Sequence, residues 1–326
     1  MTMMKAVRMH TFGGPEVLKR ESVPVPTLEA NEVLIRVAYA GVNMVDSYYR
    51  RGWYKPHGFP YTPGLEAAGT VIATGCMVEH LSIGQRVVTL MAQGTYAEVV
   101  AVPSASVIGL PPDIDFLTAA TNALQALTAL TLATQTFPIS RGATVLVISA
   151  ASSVGSHLCT LASKGGARVI GAVSTAQKAA KAYQSGCLEV VDCEKDDLVQ
   201  MVNRLTRGER VDAVYDFNGG ANFLNTLKCV KARGMVILCG QSSGPPPFID
   251  PQLLRTHGSL YLTRPSLSDY LSPLDVYRNQ MDLIWAHFRR GVLTPQCHNV
   301  FPLDSAMIAH QRLEDRSRMS KVLLEC

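Results

Sequence analysis

Between an apolar β-rich run, Val145, Leu146, Val147 and Ile148, and an apolar-periodic helix stands a turn of small side chains: Ser149, Ala150, Ala151, Ser152, Ser153, Val154 and Gly155. A turn of this kind lets backbone N–H groups and the positive end of a helix approach a pyrophosphate closely. The turn departs from the strict G-x-G-x-x-G spacing, so a strand–helix–strand unit that binds no nucleotide is the plain alternative. The tip of the next β-rich run, 168–173, is where dinucleotides are told apart. A carboxylate there accepts the ribose 2′-hydroxyl of NAD. This chain has no Asp or Glu between Asp115 and Glu189, and instead carries Ser174, Thr175 and, one helical turn on, Lys178. A hydroxyl and an ammonium suit a 2′-phosphate, so the expected cofactor is NADPH.

These residues need a scaffold, and the chain alternates strand and helix to supply one. Strands are expected at 144–149, 168–173, 188–191, 211–216 and 234–239, with helices at 153–164, 176–185, 195–206 and 220–231 between them. The continuous apolar run at 145–148 is the mark of a strand covered on both faces. Such alternation builds a doubly wound parallel sheet. The first 110 or so residues read differently, as short strands punctuated by Gly and Pro. A helix is expected from about Asp115 to Ala133, started by Asp113 and Asp115. After Gly244-Pro245-Pro246-Pro247 a strand at 259–263 should complete the sheet. A helix at 273–290, another at 303–313 and a strand at 321–324 close the chain. The last segment is expected to return to the first domain. The division expected is therefore a β-rich substrate domain at 1–123 plus 266–326, with a nucleotide domain at 124–265 inserted into it.

Composition narrows the class. The chain has 326 residues, of which 47% are hydrophobic and 17% charged, which suits compact domains and leaves little room for disorder. A net charge of +4 with dispersed Lys and Arg gives no basic stripe, so nucleic acid is an unlikely partner. The eight cysteines form no C-x-x-C pair and fit reduced thiols in a cytoplasmic protein. The start, MTMMKAVRMH, contains no secretory h-region, and no apolar run is expected to reach membrane-spanning length.

Several co-linear segments carry a family resemblance: GGPEVL at 13–18, GVNMVDSYYRRGWY at 41–54, PGLEAAG at 63–69, TAQK at 175–178, VYDFNGG at 214–220, GQSSG at 240–244 and SLYLTRPSL at 259–267. Together they resemble the zinc-free, zeta-crystallin-like quinone oxidoreductases of the medium-chain dehydrogenase/reductase superfamily. The resemblance implies a GroES-like substrate domain around a Rossmann domain, with NADPH in the cleft between them and a small quinone or enone as substrate. It implies that Asn43 and Asp46 line the nicotinamide side, with Tyr48 and Tyr54 near cofactor and substrate. It places the pyrophosphate on Ala151, Ser152, Ser153, Val154 and Gly155, and the 2′-phosphate on Ser174 and Lys178. Phe217, Asn218, Gly240, Gln241, Ser242 and Ser243 would edge the cofactor track, and Lys321 would reach it from the terminal strand.

The chain departs from the family in its turn, where Ser152 and Ser153 replace the usual paired glycines. That permits the same trace only if neither needs a positive φ. An aromatic residue that often packs near the adenosine phosphate is replaced by Cys193, or by Asp192 if the register slips by one. Zinc-dependent members of the superfamily use Cys, His and Glu or Cys, whereas the corresponding residues here are Asn43 and Gly64-Leu65-Glu66, so no metal is expected. The adjacent Cys297 and His298 are expected in a loop without partners. Gly240-Gln241-Ser242-Ser243-Gly244 formally matches a G-x-S-x-G nucleophile elbow, but three prolines follow where that motif requires a helix.

The expected activity is hydride transfer from NADPH to a small quinone. A reductase of α,β-unsaturated aldehydes or ketones is the alternative within enzymes. A non-catalytic NADPH-binding structural or RNA-binding protein is the alternative outside them. Tyr48 and Tyr54 are the candidates to contact the acceptor oxygen, and half-buried packing is their plain alternative. Asp46 could equally cap a loop, and Asn43 could satisfy backbone groups. A homodimer through the edge strand at 259–263 is expected.

Overall fold

The structure, a computed structural model, describes residues 2–326. It divides into two compact units: Met1–Leu124 with Pro295–Cys326, and Gln125–Thr294.

In the first unit, β1 (Met3–Arg8) and β2 (Lys19–Pro24) form an antiparallel pair. The main sheet is built from β3 (Glu32–Val42), β4 (Glu66–Thr74), β5 (Arg86–Leu90), β6 (Val99–Pro103) and β7 (Val107–Gly109). Val33, Ile35 and Val37 alternate inward along β3 and are buried, as the period of a half-covered strand requires. Helix α1 (Met44–Arg50) leaves the end of β3. Helix α2 (Phe116–Thr131) starts where the sequence places it, with the Asp115 carboxylate accepting the Thr118 N–H at 2.6 Å. The division between the units falls within it. Continued by one wide turn, it forms a 21-residue helix, Phe116–Thr136, long and apolar enough to cross a membrane by composition. This corrects the expectation that no run reaches that length. Ala119, Ala123, Ala126 and Leu127 are fully buried within the protein, so the apolar character serves a core helix.

The second unit carries β8 (Thr144–Ile148), α3 (Ser153–Lys164), β9 (Arg168–Val173), α4 (Ala179–Gln184), β10 (Glu189–Asp192), α5 (Leu198–Leu205), β11 (Val211–Asp216), α6 (Phe223–Leu227), β12 (Val230–Leu238), α7 (Pro251–Thr256), β13 (Tyr261–Thr263) and α8 (Leu274–Arg289). Its six strands are parallel in the order β10-β9-β8-β11-β12-β13. Val145 and Val147 pack into one core with Leu158 and Cys159, while Leu146 packs into another with Ile170, Val202 and Phe223. Burial on both faces is why the run reads as unbroken hydrophobicity. The strand order reverses between β8 and β11, and ligands of such sheets bind outside the carboxyl ends at that point.

The helix expected at 220–231 is the short α6. Gly219 and Gly220 hold φ of 61° and 65° ahead of it, and β12 has already begun at Val230. Residues 266–294 lie with the second unit in this division, whereas the sequence reading joined them to the first. The reason is α8, which buries Met281, Ile284 and Trp285 and sets Phe288 against His157 of α3 at 5.9 Å between ring centroids. His157 is buried, and burial lowers its pKa to about 4.

The chain re-enters the first unit through β14 (His298–Pro302), α9 (Ala306–Glu314) and β15 (Lys321–Glu325). β15 pairs antiparallel with β3 and parallel with β14, giving the order β14-β15-β3-β4-β5-β7 with β6 also on β3. His298 therefore opens a strand, opposite Lys321, and not a loop. The polar sequence His298-Asn299 hides this strand, since only Val300 and Phe301 read as β.

Candidate functional site

The second unit gathers polar groups beyond the ends of β8 and β11. Immediately after β8, Ser149 adopts a φ of 62°, a left-handed conformation more often given to glycine. Its hydroxyl donates to Asn218 Oδ1 at 2.6 Å, tying the ends of the two strands at the point of reversal. Ser152 has a φ of −68° and caps α3, its Oγ accepting the Gly155 N–H at 3.0 Å. Neither Ser152 nor Ser153 has a positive φ, so serine is tolerated where glycine is usual. Gly155 is different, because a Cβ there would stand 2.3 Å from the Ser149 carbonyl oxygen. Ala150 and Ala151 are buried, and Ser153 and Val154 are half-buried at the helix start.

The loops after β11 and β12 are laced together. Ser242 N–H donates to the Phe217 carbonyl at 3.3 Å and Ser243 N–H to that of Asn218 at 2.8 Å. Gly240 is needed because a Cβ would meet the Phe217 oxygen at 2.7 Å. The Asp216 carboxylate accepts the N–H groups of Asn218 and Gly219 at 2.7 and 3.0 Å, while burial holds its pKa above the usual range. Gln241 is buried and accepts from Arg264 Nη2 at 2.6 Å. Arg264 was missed in the sequence, where it is one cation just past an edge strand. No helix begins after Gly244 until Pro251, so Ser242 is not a nucleophile elbow. At the tip of β9 the expected pair converges: Lys178 Nζ donates to Ser174 Oγ at 3.0 Å, with Ser174 exposed.

In the first unit, Asn43 and Asp46 meet at the start of α1. The Asp46 carboxylate accepts the Asn43 N–H at 2.7 Å and the Tyr96 hydroxyl at 3.0 Å. Tyr96 in turn lies 3.1 Å from His310 Nε2, all three being buried. Burial lowers the His310 pKa to about 3, so its imidazole is neutral. Lys321 Nζ donates to Asn43 Oδ1 at 2.6 Å and to Glu66 Oε2 at 2.7 Å, where the two charged side chains are 3% and 0% exposed. Tyr48 is 5% exposed and stacks on Trp53 at 5.5 Å, with Tyr54 edge-on to it at 5.6 Å. Glu66, Tyr96 and His310 were missed because nothing local marks them; Lys321 and Glu66 stand 255 positions apart.

Burial pushes the Asp46 carboxyl from 3.8 up to about 7, against the lowering effect of the Asn43 and Tyr96 hydrogen bonds. Between those values the folded state keeps a proton that the unfolded chain has released, so this group makes stability fall as pH rises through the window. Asp46→Asn should therefore gain on the parent by roughly 3 kcal/mol between about pH 5 and about pH 8. Urea denaturation at the two pH values reads the difference. An unchanged gap would place the Asp46 pKa in the ordinary range.

The fold and these two clusters define a two-unit oxidoreductase of the medium-chain dehydrogenase/reductase class. Residues 29–112 match the family model for the alcohol dehydrogenase GroES-like domain, and 153–272 that for zinc-binding dehydrogenase. The chain is 34% identical to quinone oxidoreductase 1 of Escherichia coli over 326 residues, 99% of each protein. It is 32% identical to a 2-haloacrylate reductase of Burkholderia, again over 99% of each. The structure of E. coli quinone oxidoreductase complexed with NADPH superposes with a TM-score of 0.96 at 33% identity, covering 99% of this chain and all of that one. The chain belongs to the quinone oxidoreductase family.

Zinc does not fit the residues present. Asn43 offers an amide, Leu65 nothing, and Glu66 is already neutralised by the Lys321 ammonium. Among the described residues no group of three or more His, Cys, Asp or Glu could hold a metal ion.

Proposed function

We propose that this protein is an NADPH-dependent quinone reductase. The observation that carries the proposal is the Ser174–Lys178 pair, a hydroxyl and an ammonium 3.0 Å apart at the tip of β9 where no carboxylate stands. It would hold the 2′-phosphate, while the positive end of α3, over Ser152 to Gly155, would take the pyrophosphate. The missing Cβ at Gly155 lets that helix end pack closely against the Ser149 carbonyl. Phe217, Asn218, Gly240, Gln241, Ser242 and Ser243 would edge the remaining track. Asn43 and Asp46 would stand on the nicotinamide side, and Tyr48 and Tyr54 beside the acceptor oxygen.

When bound, NADPH supplies the hydride. The protein's part is to orient cofactor and acceptor and to exclude water from them. A quinone that takes a hydride becomes a hydroquinone anion, and solvent can supply the proton, so no buried acid is obligatory. Tyr48 or Tyr54 could donate to the developing oxyanion, a requirement that is stricter for an enone than for a quinone. The 2-haloacrylate reductase relative favours reduction of α,β-unsaturated substrates as the second reading.

Steady-state NADPH oxidation with small quinones, and product analysis with an enone in parallel, separates the two. Quinone turnover is expected. Rates at background with every quinone would count against the proposal, and a saturated ketone as the only product would favour the second reading.

Two further features accompany this proposal. β13 is a short edge strand with Tyr261 60% exposed, which suits pairing with a second copy into a homodimer. Sedimentation at micromolar concentration should give the dimer mass, and a monomer would refute it. The eight free thiols suit a reducing compartment such as the cytoplasm.

A further inference from the structure

Gly13-Gly14-Pro15 and Arg50-Arg51 take no part in the clusters above, and in the first unit they meet the end of α9. With Trp53 and Glu314 they line a cavity of about 380 Å³, and every lining residue belongs to that unit. The Gly13 N–H donates to the Arg50 carbonyl at 3.0 Å, and Arg50 Nη1 donates to the Gly13 carbonyl at 3.0 Å, so the two segments are tied twice.

Cations at a helix C-terminus commonly serve its last carbonyls. Those of α1 are already taken by backbone. Ser47 accepts the Arg51 N–H at 2.9 Å, Tyr48 that of Trp53 at 2.9 Å, Tyr49 that of Gly52 at 3.1 Å and Arg50 that of Gly13 at 3.0 Å. The two guanidiniums turn instead to Glu314, whose Oε1 accepts from Arg50 Nη2 and, at 2.9 Å, from Arg51 Nη2. One carboxylate against two guanidiniums leaves the lining with one positive charge in excess. Glu16, the other acid close enough to influence Arg50, is exposed, accepts the Gly14 N–H at 3.0 Å and does not line the cavity.

Arg50 is fully buried, and among the described residues its Nε has no hydrogen-bond partner. Folded proteins seldom leave a buried donor unpaired, so the lining carries more donors than the protein itself satisfies. Arg51 is 40% exposed, with its guanidinium 5.2 Å over the Trp53 ring. Trp53 is half-buried and is held in place by stacking on Tyr48 at 5.5 Å.

We propose that this cavity binds a small aromatic monocarboxylate, its carboxylate on the Arg51 fork and its ring against Trp53. A planar carboxylate matches a guanidinium in two parallel hydrogen bonds. Its single charge balances the lining, whereas the second charge of a dianion would meet Glu314. The ring gains contact with an aromatic wall already fixed in orientation.

Calorimetric titration of the full chain with benzoate, no dinucleotide present, should give saturable binding at about 1 mM. Acetate should bind about fivefold more weakly for want of a ring. Inorganic phosphate should also bind more weakly than benzoate, and benzylammonium, the same ring carrying a cation, should not bind. Arg51→Gln leaves Arg50 and Glu314 paired, and with folding checked by circular dichroism it should weaken benzoate at least about tenfold. Trp53→Leu should remove the preference for benzoate over acetate. No saturable binding of benzoate, equal affinity for benzylammonium or phosphate, or benzoate affinity untouched by Arg51→Gln overturns the proposal. Because the readout is binding and not turnover, its outcome is separate from that of the quinone assay.

Discussion

Lys178→Glu should raise KM for NADPH by about 30- to 100-fold and leave the constants for NADH within about twofold. Lys178 and Ser174 present one cation and one hydroxyl on an exposed turn. A charge-assisted hydrogen bond to phosphate contributes a few kcal/mol at most in such a setting, and water and salt reduce it. Reversing the charge adds repulsion, which restores part of that loss. NADH carries a neutral hydroxyl where NADPH carries the phosphate, so it offers Lys178 no opposite charge. Raising the salt concentration should shrink the effect, as expected for exposed charges. Equal losses for both cofactors would show that Lys178 does not read the 2′-phosphate.

Lys321→Ala should destabilise the protein by about 3–5 kcal/mol, the largest effect expected of any single substitution in the polar clusters. The substitution strands the Glu66 carboxylate, which is 0% exposed, with only amide and backbone donors around it. A buried charge that has lost its counter-charge costs far more than the pair contributed when intact. Burial lowers the Lys321 pKa, with Glu66 and then Asp46 acting in the opposite sense, so the ammonium depends on its partners as they depend on it. Glu66→Gln/Lys321→Met should recover most of the loss, since neutral groups of similar volume leave no charge unpaired. Thermal or urea unfolding reads both variants. A loss below about 1 kcal/mol for Lys321→Ala would mean that water reaches the carboxylate.

The second unit was legible because its strands are covered on both faces, and Val145, Leu146 and Val147 could only be apolar. The Ser174–Lys178 pair was legible for a local reason: the two residues lie one helical turn apart, and they do meet. The left-handed φ of Ser149 was not, since the residue type gives no hint of it. Strand β14 was hidden by its alternating exposed positions and the polar His298-Asn299 start. The domain limit read near 266 differs from the division at Thr294, because a single amphipathic helix does not say which core it covers, and α8 packs on α3 through Phe288 and His157. The chain of hydrogen bonds through Lys321, Glu66, Asn43, Asp46, Tyr96 and His310 was the least legible. Its partners come from elements far apart in sequence, and Glu66 reaches Lys321 through the space left at Gly41, which no pattern of residue types records.

The most direct measurement is a titration of the purified protein with NADPH and, separately, with NADH. The account predicts one NADPH bound per chain, at least about tenfold more tightly than NADH, as a single phosphate held by Lys178 and Ser174 requires. Equal affinity for the two dinucleotides, or heat of binding for neither, would contradict it.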